Sequence, residues 1–344
     1  MTSPSLRLGV LGAARIAPMA LVRPAREIPS MARVVAVAAR DPQKAQAFAD
    51  KHGIPRVHRS YDELLSDPEI DAVYNPLPNS HHAALSIRAL EAGKHVLCEK
   101  PLASNAEEAE RMASAARAAK RSLVEAFHWR YHPLCDHVRA IVARGEIGAP
   151  RHYEVSLAIP MGFLRNDIRW SLALSGGALM DIGCYTVSMI RHYAGAEPSV
   201  ERARALLWAP GVDRKMQASL RFADGRTAAL TASMWSSTLV KAELRIEGEA
   251  GSIRVFNPIA PHFYHRVTIE TRSGKRRERA IGAPAAGRFW NYGEATYTSQ
   301  LRAFVEHVQH GAPVPTSAED GVANMRVIDA IYRAAGLSPR GLDG

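Results

Sequence analysis

The first third of the chain alternates short apolar runs with amphipathic stretches, and this alternation limits the possible folds more than any other feature. Compact apolar segments at Leu6–Leu11, Val34–Ala39, Ala72–Asn75, His95–Cys98 and Ser122–Ala126 have the length and composition of buried strands. Between them, Pro42–His52, His81–Ala92 and Asn105–Ala119 carry apolar residues at helical spacing. Parallel strands need a crossover, and a helix supplies it, so the pattern predicts a doubly wound parallel sheet with helices on both faces.

After about residue 125 the texture changes. Arg151–Ile159 reads as a strand and Ala178–Tyr193 as a helix, followed by strand-like runs at Glu201–Trp208, Met216–Phe222, Thr227–Met234, Lys241–Gly248, Ser252–Val255 and His265–Thr271. Turn signals such as Asp224-Gly225 and Ser273-Gly274 separate them, which predicts a mostly antiparallel sheet. Helices return at Tyr297–Gln309 and Ala318–Ala335. A length of 344 residues suits two domains, expected as 1–124 for a dinucleotide and 125–344 for substrate binding and oligomerisation.

The turn after the first strand reads Gly9-Val10-Leu11-Gly12-Ala13-Ala14-Arg15-Ile16-Ala17, a degraded form of the dinucleotide fingerprint. Gly12 would permit the tight turn, Ala14 a close approach of backbone to pyrophosphate, and Ala17 close packing of helix on strand. Helix N-terminal amides beyond Arg15 and Ile16 would face the phosphates. Small residues at a strand–helix turn also serve plain packing, so the motif alone decides nothing. The end of the second strand adds to it. Where an NAD enzyme places an acidic residue for the ribose, this chain has Ala39-Arg40-Asp41. A guanidinium can grip a 2′-phosphate with two parallel bonds, so NADP is expected ahead of NAD. Asp41 is expected to cap the next helix before Pro42, leaving Arg40 for the phosphate or for solvent.

The net charge of +10 raises the question of nucleic acid. The basic residues are scattered, however, and the densest run, Lys275-Arg276-Arg277, is broken by Glu278. A phosphorylated cofactor accounts for the charge, and no nucleic-acid partner is expected. Three distant cysteines, Cys98, Cys135 and Cys184, suggest a reducing, cytoplasmic setting. The start MTSPSLRLGV lacks the basic-then-apolar pattern of a signal peptide, and no apolar run approaches a membrane span. The 14 histidines show no metal-ligand spacing, so no metal is expected.

Two further segments carry a family likeness. Leu90-Glu91-Ala92-Gly93-Lys94-His95-Val96-Leu97-Cys98-Glu99-Lys100-Pro101-Leu102 resembles the EAGKHVLCEKP signature of the Gfo/Idh/MocA oxidoreductases. Ser175-Gly176-Gly177-Ala178-Leu179-Met180-Asp181-Ile182-Gly183-Cys184-Tyr185 resembles that family's second motif, with Ser175 in place of its first glycine. Tyrosine at 185 is similar to the branch containing NADP-dependent xylose dehydrogenase, glucose–fructose oxidoreductase and dihydrodiol dehydrogenase. The resemblance implies a Rossmann domain followed by an α/β domain on a large open-faced sheet, which would pair with another subunit as a homodimer or homotetramer. It also implies hydride transfer between NADP and a sugar, polyol, ketosugar or vicinal diol. A non-catalytic NADP(H) sensor and a transhydrogenating enzyme with tightly bound cofactor are the alternatives.

The residues support a mechanism. Asp181 and Tyr185 are four apart and would share one helix face, away from the stripe of Leu179, Ile182, Thr186, Met189, Ile190 and Tyr193. Oxidising an alcohol needs a base for the hydroxyl proton. A phenol near pKa ~10 becomes one at neutral pH only with about 3–4 kcal/mol of help, which a nearby ammonium supplies. Tyr185 is therefore assigned as general acid/base, Lys100 as the charge that tunes it and orients substrate, and Asp181 as a partner of a substrate hydroxyl or of Lys100. Leu77, Pro78, Asn79, His82 and Glu99 are candidates for the nicotinamide-ribose end of the cofactor. Arg169 and Trp170 are candidates for cofactor or substrate contact, and Arg130, Tyr131 and His132 for substrate. Specificity is expected from loops near Trp129–His132, Met161–Trp170 and Phe256–Tyr264.

Overall fold

The computed structural model describes residues 4–161, 167–235, 240–282 and 294–342. The chain packs as two units. The first is Met1–Arg130 with Tyr297–Val322, and the second is Tyr131–Thr296 with Ala323–Gly344. The expected cut at 124 lies close to the first crossing. The expectation that everything after it forms one domain misses Tyr297–Val322, and the reason is packing. Leu301, Phe304 and Val305, from the Thr296–His310 helix, are fully buried in the same cluster as Leu8, Val10, Val37, Tyr74 and Leu97.

In the first unit, strands β1 (Leu6–Leu11), β2 (Ala32–Ala38), β3 (Arg56–His58), β4 (Ala72–Asn75), β5 (His95–Cys98) and β6 (Leu123–Glu125) form one sheet. Its order is β3-β2-β1-β4-β5-β6, with every neighbour parallel. This is the doubly wound arrangement. The order reverses beside β1, and such sheets bind ligands at the carboxyl ends of strands flanking that point. The local signals explain most element boundaries. Asp41 accepts hydrogen bonds from the N–H groups of Gln43 and Lys44 and starts the Pro42–His52 helix. Gly53, at φ +57°, stops it. Strand β3 and the Tyr61–Ser66 helix were not anticipated. Each spans less than two turns or one alternation, too short for periodicity to register.

In the second unit, β7 (Pro150–Ala158), β8 (Ser199–Ala209), β9 (Val212–Arg221), β10 (Thr227–Ser233), β11 (Lys241–Gly248), β12 (Gly251–Phe256), β13 (Arg266–Thr271) and β14 (Gly274–Arg279) form a second sheet. The order is β14-β13-β12-β11-β7-β10-β9-β8, antiparallel except where β10 runs parallel to β7. A Pro133–Ala143 helix, unforeseen, precedes this sheet. The Cys184–Ala194 helix packs on β7 and β10. It is buried on nearly every side, from Cys184 through Arg191, rather than on the one stripe expected. By length and apolarity the Leu172–Ala194 stretch could cross a membrane, contrary to the expectation of no such run, but 83% of its most apolar window is buried inside the protein. That is how a core helix behaves.

Candidate active site

The first unit gathers its candidates at the carboxyl ends of its strands. Gly12 adopts φ +94°, and its N–H donates to Ala38 O at 2.6 Å. A Cβ there would fall 2.8 Å from the Leu77 side chain, which closes over the turn. Only glycine meets both demands. The residues from Gly12 to Ala17 form the turn itself. Ala14 and Ile16 are half-buried and Arg15 is exposed. The helix begins later than expected, at Pro18. Arg40 is exposed just past β2. The Tyr61 hydroxyl accepts from the Arg40 backbone N–H and stands 3.9 Å from the Cβ position of Gly12. The sequence had offered no reason to single out Tyr61.

Glu99, Lys100 and Pro101 follow β5 directly. The buried Tyr74 hydroxyl donates to Glu99 Oε1 at 2.7 Å, and the Lys100 N–H donates to Glu99 Oε2 at 3.3 Å. Glu99 thus fixes the backbone from which Lys100 projects. Burial, reinforced by the Glu99 carboxylate, drives the Tyr74 phenol well above its ordinary range, so it remains a donor. Pro78 and Asn79, both half-buried, follow β4, and Asn79 opens a short 3-10 helix, Asn79–His81.

His82 does not sit where a cofactor could reach it. It is 0% exposed, with Nδ1 at 2.9 Å from Pro101 O and Nε2 at 2.8 Å from Leu77 O. Burial pulls its pKa down to about 4, against those carbonyls. Both ring nitrogens face backbone carbonyls, and the neutral ring donates to one of them, so the side chain bridges the loop after β4 and the loop after β5. Arg130 lies over the Trp129 ring at 5.6 Å, 3.8 Å from the Asp320 carboxylate.

The second unit holds the other candidates. The Leu179–Gly183 turn is a π-helix that leads into the Cys184–Ala194 α-helix, so Asp181 and Tyr185 straddle a change of helical pitch. Such π-turns recur at functional sites. Tyr185 is 7% exposed. Asp181 does not stand alone on a helix face. Arg169 Nε donates to its Oδ2 at 2.8 Å, while Arg169 Nη1 donates to Asp167 Oδ1 at 2.8 Å. Burial opposes charge on Arg169, but the Asp181 and Asp167 carboxylates outweigh it and hold its pKa above the ordinary value. Two carboxylates thus take an Nε–H and an Nη1–H of this guanidinium. Trp170 is buried and stacks on Trp208 with ring centroids 4.7 Å apart. Tyr131 is half-buried where the second unit begins.

The turn before the π-helix rests on a network the sequence did not reveal. Asp213 and Arg340, 0% and 1% exposed, pair at 2.7 Å. Asp213 Oδ2 accepts from the Leu179 N–H at 2.7 Å, and its Oδ1 accepts from the Tyr332 hydroxyl at 3.0 Å. Arg340 Nε donates to Gly176 O at 2.8 Å. Gly177 adopts φ +130°, and a Cβ there would overlap the Asp213 carboxylate. Gly177 is therefore required by the buried ion pair beneath it, while a Cβ at Gly176 would meet the backbone of Arg169 and Ser171. An aspartate among the apolar positions of β9 was the one available hint, and Arg340 carried none.

Among the described residues no group of three or more His, Cys, Asp or Glu side chains is placed to hold a metal ion. Residues 162–166 of the expected specificity loop lie outside the described residues. Phe256, the last residue of β12, and Tyr264 meet edge-on at 5.8 Å.

Comparison with known proteins agrees with this layout. Residues 6–127 match the model described as "Oxidoreductase family, NAD-binding Rossmann fold", and residues 135–254 match the "GFO/IDH/MocA C-terminal domain". An uncharacterized oxidoreductase of Rhizobium meliloti is 37% identical over 338 residues, covering 96% of this chain and 97% of that protein. The D-xylose 1-dehydrogenase (NADP(+)) 2 of Haloferax volcanii is 32% identical over 330 residues, covering 96% and 97%. Among solved structures, a 3-ketoreductase from Actinomadura kijaniata in complex with NADP and TDP-benzene superimposes with a TM-score of 0.84 at 29% identity, covering 96% of this chain and 98% of that one.

Proposed function

Because the chain belongs to the Gfo/Idh/MocA oxidoreductase family, we propose that it moves a hydride between NADP and a hydroxyl-bearing or carbonyl carbon of a sugar, polyol, ketosugar or vicinal diol. The observation that carries this reading is the anchoring of Lys100. The residue follows the carboxyl end of β5, and Glu99, itself bonded to Tyr74, holds its backbone.

The cofactor assignment rests on fit. Gly12 is closed by Leu77 so that nothing larger than glycine suits the turn, and Arg40 is exposed at the end of β2 while Asp41 is spent as a helix cap. A cation without an acidic neighbour for the ribose suits a 2′-phosphate. The Haloferax relative is named for NADP, and the Actinomadura neighbour holds it. When bound, the nicotinamide supplies the hydride acceptor or donor.

The chain's own residues handle the proton and the substrate. Tyr185 takes the hydroxyl proton during oxidation and returns it during reduction. The role we assign to the Lys100 ammonium is to orient the substrate oxygen by its charge. Asp181, held at a fixed angle by Arg169, accepts from a second substrate hydroxyl. Arg130, Tyr131 and Trp170 line the substrate position. The first unit takes the dinucleotide and the second the substrate. The outward side of the eight-stranded sheet, where Arg254 and Phe256 of β12 are exposed, is the surface we assign to a homodimer or homotetramer contact. Three buried cysteines without disulfides suit a cytoplasmic setting.

Two measurements test the reading. A screen of sugars and diols in both directions, followed by nicotinamide absorbance, should show turnover with NADP ahead of NAD. Lys100→Ala should then abolish hydride transfer while NADPH still binds. Near-parent turnover in that variant would remove Lys100 from the mechanism.

A further inference from the structure

The buried Asp213–Arg340 pair lies outside the residues that touch substrate or cofactor, yet its bonds to Gly176 O and to the Leu179 N–H end on the backbone that carries Asp181. Arg340 Nε fixes Gly176 O at 2.8 Å. The next residue, Gly177, donates its N–H to Arg169 O at 2.9 Å and accepts from the Asp181 N–H at 3.0 Å. Arg169 in turn grips the Asp181 carboxylate through Nε at 2.8 Å. From the other side, Asp213 Oδ2 caps the Leu179 N–H at 2.7 Å, two residues before Asp181. The Gly177 backbone is pressed against the Asp213 carboxylate too closely for a methyl group to intervene. The Arg340 guanidinium also lies 4.1 Å over the Tyr332 ring.

We propose that Arg340 is a positioning residue for the reaction: together with Asp213 it sets the Gly176–Gly177 turn, and through that turn the angle at which Arg169 presents the Asp181 carboxylate and at which the π-turn enters the helix bearing Tyr185. The reasoning is geometric. A helix start needs its first N–H groups satisfied, and here a carboxylate does so at Leu179. That carboxylate is fully buried, and burial works to protonate it, while the Arg340 cation beside it opposes this. Arg340 has two separate duties, one on the Asp213 charge and one on the Gly176 carbonyl, and a planar fork can perform both at once. Lysine keeps the charge but cannot span both acceptors. Groups that act on a reacting carbon must be held to a fraction of an ångström, since about 1 Å of misplacement can cost on the order of a hundredfold in rate.

This inference rests on the assignment of Asp181 and Tyr185 above. The test uses the full chain with NADP and a substrate found in the screen. Two variants are compared with the parent: Arg340→Lys, and the paired Asp213→Asn/Arg340→Gln, which leaves no unpaired buried charge if Arg340→Lys fails to fold. The expected result is a folded protein whose kcat falls about 10–100-fold, with NADPH affinity within about twofold of the parent. Amide hydrogen exchange at Leu179 and Asp181 should quicken, while exchange in β1 and β5 should not. A purely structural role would lower the thermal midpoint but leave kcat and those two amides unchanged below it. A folded variant with parent kcat and parent protection at Asp181 overturns the proposal. If the parent itself transfers hydride to no sugar or diol, the functional reading has failed, and exchange at Asp181 alone decides whether Arg340 sets the turn.

Discussion

Removing one hydroxyl from the core of the first unit should loosen the residue next to Lys100. In Tyr74→Phe the ring stays in place, 0% exposed in β4, so no cavity forms and the apolar packing is unchanged. What disappears is the 2.7 Å hydrogen bond to Glu99 Oε1. A hydrogen bond to a charged group contributes about 1.5–3 kcal/mol. Glu99 keeps its contact with the Lys100 N–H at 3.3 Å, a longer and weaker bond, so the lower part of that range, about 1.5–2 kcal/mol, is expected. Equilibrium urea unfolding followed by circular dichroism reads this as a lower midpoint with an unchanged slope. Kinetics should show kcat falling by roughly tenfold, the equivalent of about 1.4 kcal/mol, as Lys100 loses its fixed backbone. A Tyr74→Phe protein as stable as the parent within about 0.5 kcal/mol, and equally active, would refute the claim that Glu99 is held by Tyr74 and holds Lys100 in turn.

Gly12→Ala should cost about 1–3 kcal/mol from the positive φ alone, and displacement of Leu77 should weaken NADPH binding with it; titration of the variant by fluorescence checks this. Stability should also fall with acidification between about pH 6.5 and 4. His82, His95 and His262 are each pushed by burial from 6.5 to about 4, so in that window the unfolded chain binds more protons than the folded one, and the stability present above pH 6.5 is lost as pH drops. For the fully buried His82 the gap corresponds to about 3 kcal/mol, and for the partly solvated pair to less. Urea midpoints measured from pH 7 to pH 4.5 test it, and a flat profile would mean that these rings titrate in the fold as they do in the unfolded chain.

What the sequence determined by itself was whatever short-range signals encode. The Pro42–His52 helix lies between a capping aspartate and a left-handed glycine, and β4 and β5 match their apolar runs residue for residue. Caps, turns and periodicity act within about one helical turn or one strand, so they are visible in a window of residues. The glycine turn at Gly12 belongs to the same class, while the Glu99-Lys100-Pro101 segment was singled out by its family likeness. Only the tertiary structure decided how distant residues combine. Arg169 pairs with Asp181, the His82 ring lies buried between two loop carbonyls, and Arg340 reaches Asp213 across 127 positions. It also returned Tyr297–Val322 to the first unit and laid β10 parallel to β7. Those outcomes depend on which buried charges and apolar faces find partners when the chain compacts, and the partner of a buried group is set by packing in three dimensions rather than by spacing along the chain.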